Sequence, residues 1–187
     1  MRLSSSDKMI IEALQRDGRT SLTSISKELG ISHVAVKKRI DKLKKEGVLK
    51  VKALLSSKLF VYAIILAELE GFEYINEVVS RLRECPRMVL LAPLLGGINF
   101  IAIMAFENED VLESCMGSCI VRTMKGIRRS EVYIARDLAI PRYVLVRTSL
   151  KKAERAPCGV DCGKCPLYIA NRKCLGCPAT KYYREPS

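Results

Sequence analysis

Three glycines, at positions 18, 30 and 47, cut the first fifty residues into three short helical patterns, and no other feature constrains the fold so tightly. Ser5 or Ser6 can cap a helix that starts near Asp7. Met9, Ile10, Ala13 and Leu14 then recur on one face until Gly18 ends the pattern. A second helix follows Thr20 and Ser21, with Leu22, Ile25 and Leu29 inward, and Gly30 closes it. After the turn Gly30-Ile31-Ser32, the Ser32 hydroxyl can cap a third helix. That helix buries Val36, Ile40 and Leu43 and runs to about Glu46, where Gly47 stops it. Val48 to Ala53 alternates apolar and basic residues and reads as a short strand, a candidate wing.

A helix, a tight glycine turn and a second, basic helix is the arrangement that seats a recognition helix in the major groove. Outside its narrow apolar stripe the third helix carries His33, Lys37, Lys38, Arg39, Asp41, Lys42, Lys44 and Lys45. Ser32, His33, Val34, Lys37 and Lys38, in its first turns, are the candidates for base edges. Lys42, Lys44 and Lys45, with the helix's arginine, are placed to neutralise phosphates, which gives affinity without sequence information. The charge distribution agrees. Residues 1–57 hold 13 Lys/Arg against 6 Asp/Glu, residues 58–150 hold 11 against 11, and residues 151–187 hold 8 against 3. A basic terminal module implies a polyanionic partner, here double-stranded DNA. The bland alternative is a small helical bundle with a charged exterior.

Residues 58–146 follow a different pattern. Leu59 to Leu69 reads as a strand, Phe72 to Arg83 as a helix broken by Cys85-Pro86, and Met88 to Leu95 and Ile98 to Phe106 as a hairpin around Gly96-Gly97. A helix from Asn108 to about Ile120 and a strand from Arg128 to Leu138 complete a βαββαβ order, the ferredoxin-like arrangement. The fold class is therefore α+β. Such a sheet has helices on one face only, and its apolar strands call for a partner subunit on the other. No catalytic constellation is visible. His33 is the only histidine, there is no phosphate-binding glycine loop, and Cys115 and Cys119 read as small packing residues, so an enzyme is not expected. The chain's start lacks the apolar core of a signal peptide, and the run near Leu59 is too short to span a bilayer, which points to the cytoplasm and away from membranes.

The last segment, residues 151–187, opens on a linker-like stretch from Lys151 to Pro157. Five of the eight cysteines follow: Cys158, Cys162, Cys165, Cys174 and Cys177, spaced C-x3-C-x2-C-x8-C-x2-C, with Arg172-Lys173 just before the last pair. In a reducing compartment these are not structural disulfides. A segment this short cannot bury enough apolar surface to fold alone, and a metal would supply what is missing. Two C-x2-C pairs suit tetrahedral zinc. The fifth cysteine and the two Cys-Pro steps suit a 4Fe-4S cluster, to which the balance leans. The C-x3-C-x2-C trio also occurs in radical S-adenosylmethionine enzymes, but near the start of a barrel for which this chain has no room.

The stretches Ser6 to Arg19, Ile25 to Ser32, Val36 to Ile40 and Leu43 to Val48 resemble the Lrp/AsnC, or feast/famine, transcriptional regulators. The likeness continues through Gly97-Ile98-Asn99-Phe100, similar to that family's glycine turn between its second and third strands, and Gly126-Ile127, before its last strand. The resemblance implies a homodimer, in some members an octamer, on a pseudopalindromic site. It also implies a small-molecule effector between subunits, with Gly97 and Asn99 as the effector positions. Where the family usually carries Asp, this chain has Asn99, so the charge that would pair with an amino-acid ammonium group is missing. The tail lies outside the family's common pattern. The expectation is a sequence-specific regulator sensing a metal, redox state or small ligand. The alternatives are an iron–sulfur electron-transfer or accessory protein with a retained DNA module, and a DNA-compacting protein.

Overall fold

The computed structural model describes residues 3–147, 152–170 and 173–186. Lys151, where the linker was expected to begin, and Arg172 in the tail lie outside the described residues. The chain forms two compact units, Met1–Ala53 and Leu54–Ser187.

The first unit holds α1 (Ser5–Arg16), α2 (Leu22–Leu29) and α3 (His33–Lys45). The cap of α1 is Ser4 rather than Ser5 or Ser6. Its hydroxyl accepts from the Asp7 N–H at 3.2 Å while the Asp7 carboxylate accepts from the Ser4 N–H at 3.1 Å. Asp7 decides this position, because only a cap three residues before it completes the reciprocal box. Ser21 caps α2, accepting from the Ser24 N–H, and Ser32 caps α3, accepting from the Ala35 N–H at 3.2 Å. Gly30 and Gly47, at φ of 65° and 71°, supply the left-handed residues that end α2 and turn the chain after α3. Ile10, Ala13, Ile25, Val36 and Ile40 form the core, with Leu14, Leu29 and Leu49 against it. No strand forms over Val48–Ala53. Leu49 packs into the core, but nothing within the unit offers this segment a ladder partner, and alternation alone does not make a strand.

The second unit is built on a four-stranded antiparallel sheet of β2 (Val61–Leu69), β3 (Met88–Pro93), β4 (Phe100–Phe106) and β5 (Ile127–Ala135), ordered β3-β4-β2-β5. A two-residue ribbon pairs β1 (Leu55–Ser56) with β6 (Tyr143–Val144). The helices are α4 (Phe72–Leu82), α5 (Glu109–Ser118), capped by Asn108, and the single turn α6 (Ile120–Thr123). The chain order β2-α4-β3-β4-α5-β5 is the one expected. Ala63, Ile65, Ala67, Phe100, Ala102 and Met104 face α4 and α5 and are fully buried. The alternate residues Ile64, Leu66, Ile101 and Ile103 are only half-buried, and Leu90 and Tyr133 are exposed.

The tail continues this unit. Cys158, Val160 and Leu175 pack on the sheet's core, Thr180 is fully buried, and the short helix α7 (Pro166–Ala170) lies against α5, where Leu167 sits over Gly117. Read from sequence as a separate module, it borrows its apolar support from the sheet unit instead.

Candidate nucleic-acid interface and cysteine cavity

The buried stripe of α3, Val36, Ile40 and Leu43, sets its rotation. Helical geometry then places Val34, Lys38, Asp41 and Lys45 along the opposite line, all exposed. Lys37 and Lys44 flank this line on one side and Lys42 on the other, and these too are exposed. Among the described residues no carboxylate pairs with Lys37, Lys38, Lys44 or Lys45, whereas Lys42 has Glu46 at 3.9 Å one turn on. His33 opens the helix, exposed, beside the capping Ser32 hydroxyl. A convex helix face with five lysines and one half-exposed valine can enter a groove lined by phosphates and present an apolar contact to a base edge.

Arg39 is the exception. Its guanidinium points back to α1, donating to the Asp7 carboxylate at 3.1 Å and the Ser4 hydroxyl at 3.3 Å, so it braces the unit rather than facing solvent with the lysines. The Ser4 hydroxyl, with Arg39 behind it, holds the Asp7 carboxyl below the usual carboxylate range.

Asn99, expected at an effector site, has its carboxamide committed to the neighbouring strand. Its Oδ1 accepts from the Leu69 N–H at 2.8 Å and its Nδ2 donates to the Leu69 carbonyl at 2.7 Å, so the amide imitates one backbone ladder pair at the end of β2. Gly97 has open space about its Cα.

The five tail cysteines converge on one cavity of about 70 Å³. Sequence reasoning missed what they meet there. Cys85 after α4, Cys115 in α5 and Cys119 just beyond α5 line the same cavity, so all eight cysteines share its wall, and among the described residues no Asp, Glu or His does. Burial pushes the thiol of Cys85 up to about 12 and that of Cys177 up to about 11. A hydrogen bond with Cys119, then burial, raises Cys115, and burial raises Cys158 and Cys174. Nearby backbone N–H groups, of Arg87, Val160, Gly176 and Ala179, partly offset burial at Cys85, Cys158, Cys174 and Cys177. Such donors favour the thiolate.

Arg87 closes one side. It is 5 % exposed, pairs with Glu107 at 2.9 Å, and donates to the Gly176 carbonyl at 2.9 Å. The Tyr183 hydroxyl donates to the same Glu107 carboxylate at 2.8 Å, and Arg81 donates to the Cys158 carbonyl at 3.0 Å. Burial lowers the Arg87 pKa, but Glu107 outweighs it and holds the group charged. An arginine between Pro86 and Met88 in an apolar stretch was the one available sign of this network.

Residues 3–50 match the family described as winged helix-turn-helix DNA-binding. Over 132 residues the chain is 29% identical to the HTH-type transcriptional regulator FL11 of Pyrococcus furiosus, covering 68% of this chain and 85% of that one. Over 45 residues it is 58% identical to the HTH-type transcriptional regulator LysM of Sulfurisphaera tokodaii, covering 24% of this chain and 32% of that one. The solved structure of E. coli AsnC superposes with a TM-score of 0.64 at 19% identity, over 76% of this chain and 97% of that one, which is a likeness of fold.

Proposed function

We infer that this chain is a DNA-binding transcriptional regulator of the Lrp/AsnC type, not an enzyme, acting through the exposed lysine face of α3. The observation that carries the reading is that face itself, set outward by Val36, Ile40 and Leu43, in a unit that matches winged helix-turn-helix DNA-binding domains. Its likeness to named regulators over most of the chain supports the same reading. The chain binds as a homodimer through the uncovered face of its ferredoxin-like sheet, Ile64, Leu66, Ile103 and Tyr133 among the contacts. Cys158, Cys162, Cys165, Cys174 and Cys177 hold a zinc ion or an iron–sulfur cluster whose state biases DNA binding. The eight cysteines on the cavity's wall support a soft metal centre over an amino-acid effector, as does the engagement of Asn99 with Leu69.

The test is binding to promoter DNA across a salt series, by fluorescence anisotropy. Lys38→Ala and Lys45→Ala are each expected to weaken binding, and Lys45→Ala to flatten the plot of log affinity against log salt by about two units, one phosphate contact from each subunit of the dimer. Unchanged affinity and slope in both variants would remove α3 as the DNA-contacting element.

A further inference from the structure

We propose that the cavity holds a polynuclear iron–sulfur cluster rather than a single zinc ion, and that Cys115 of α5 ligates it together with tail cysteines. This rests on the tail being metal-bearing and adds the kind of centre and a ligand from outside the tail.

The argument for a cluster is one of spacing. Four thiolates about 2.3 Å from one zinc ion stand about 3.8 Å from each other, so a zinc site is a tight knot of sulfur with no room at its middle. Here eight cysteines ring a cavity of about 70 Å³, which leaves a space between them. A cluster brings its own iron and sulfide into the middle, so its cysteines stand apart around a space. The donors are of one chemical kind, thiolate, which is the set that Fe–S centres take. The wall is otherwise apolar side chains, one arginine, one serine and one tyrosine. An all-thiolate centre is net negative, and the buried Arg87 guanidinium is the cation on its wall.

Cys115 is the sheet unit's contribution because of where α5 holds it. Its sulfur lines the cavity from α5, the helix on which the tail's own helix α7 packs, with Leu167 over Gly117 two residues along, so it stands where the sheet wall meets the tail wall. The cluster then ties the tail to a helix of the sheet unit. Loss of the cluster would loosen the tail from α5, a change the sheet unit can pass to its subunit contacts.

The experiment is anaerobic reconstitution of the full chain with ferrous iron and sulfide, and separately with zinc. Iron and sulfide are quantified and the dithionite-reduced protein is read by electron paramagnetic resonance. The expected result is a brown protein with iron and sulfide in near-equal amounts. Cys115→Ser is expected to bind a cluster with a shifted spectrum, since serine oxygen can replace the thiolate, and Cys115→Ala to lose most of it. Far-ultraviolet circular dichroism and a cooperative urea transition of both variants verify folding. One zinc per chain with no iron overturns the cluster while leaving the metal-bearing tail intact. No uptake of either metal overturns both readings. A full cluster with the wild-type spectrum in folded Cys115→Ala overturns the ligand assignment.

Discussion

Asp7 does three things with one carboxylate: it accepts the Ser4 N–H, accepts the Ser4 hydroxyl and pairs with Arg39 of α3. Asp7→Ala leaves the Ser4 cap on the backbone N–H of residue 7 but removes the reciprocal half of the box and the interhelical brace together, a loss of about 1 kcal/mol. Faster amide hydrogen exchange along α1, with exchange in the sheet unit unchanged, is the expected signature. The pH dependence follows from the same contacts. The folded carboxyl sits below its unfolded value, so its stabilisation is full above about pH 3.9 and is lost as the pH falls through the folded value. In wild type the α1 amides should lose protection in that acid range, and in Asp7→Ala that step should be absent. Arg87 is the corresponding residue of the second unit. Its Glu107 partner is 14 % exposed, and Arg87→Met would leave that carboxylate buried without its cation. A loss of about 3–5 kcal/mol is expected, much of it recovered in Arg87→Met with Glu107→Leu. All seven tyrosines and no tryptophan lie beyond residue 54, so tyrosine fluorescence in urea reads this unit alone. Neither residue's role is written in local pattern. Asp7 was legible as an early acidic residue, but its pairing with Arg39 joins positions 32 apart, and the Arg87–Glu107–Tyr183 set spans most of the second unit.

At the scale of elements, the helices were legible because each carries both its period and its punctuation. Ser21, Ser32, Gly30 and Gly47 stand where local sequence places them, since a cap needs only three or four neighbouring residues. The strands were legible in type but long at their ends. Leu59 and Phe60 belong to a single helical turn and its close rather than to β2, and Leu94 and Leu95 belong to the turn after Pro93. What failed was the wing strand, because strand formation depends on a partner that sequence does not name. Gly126 shows the reverse case. It has φ of 86°, and a Cβ there would collide with the Tyr74 ring. The glycine before the last strand was visible in the sequence, but the reason for it, a tyrosine on α4 lying against its backbone, was not. Gly126→Ala is expected to cost about 1–3 kcal/mol from the backbone conformation alone, and more from the ring contact. Tyrosine fluorescence in urea measures it, and a change under 0.5 kcal/mol would show that the turn relaxes freely.

At the scale of the molecule, the helices cover one side of the sheet and leave the other to be explained. Ile64 stands beside Ile103 and Tyr133, Ile103 beside Leu90, and Leu66 beside Ile101, so the half-exposed side chains are contiguous across all four strands. A contiguous apolar face of this kind marks an interaction surface. A second copy of the same face, as proposed above, would satisfy it with two-fold symmetry, and that symmetry matches a DNA site of two inverted half-sites. In the proposed dimer one α3 per copy would give each half-site a modest, salt-sensitive contact, and dimerisation would turn the second contact into an intramolecular one worth about 10²–10⁴ in affinity. Ile103→Lys places a charge near the middle of this face, on β4, between β2 and β3. It should sediment as a monomer with unaltered tyrosine fluorescence. It should keep the single-unit affinity for a half-site and lose about 10²–10⁴ on the full site. The salt slope should fall by about half, because half of the phosphate contacts are gone. A variant that stays dimeric at the same concentration would place the subunit contact elsewhere, and the outer sheet face would then be left for a different partner.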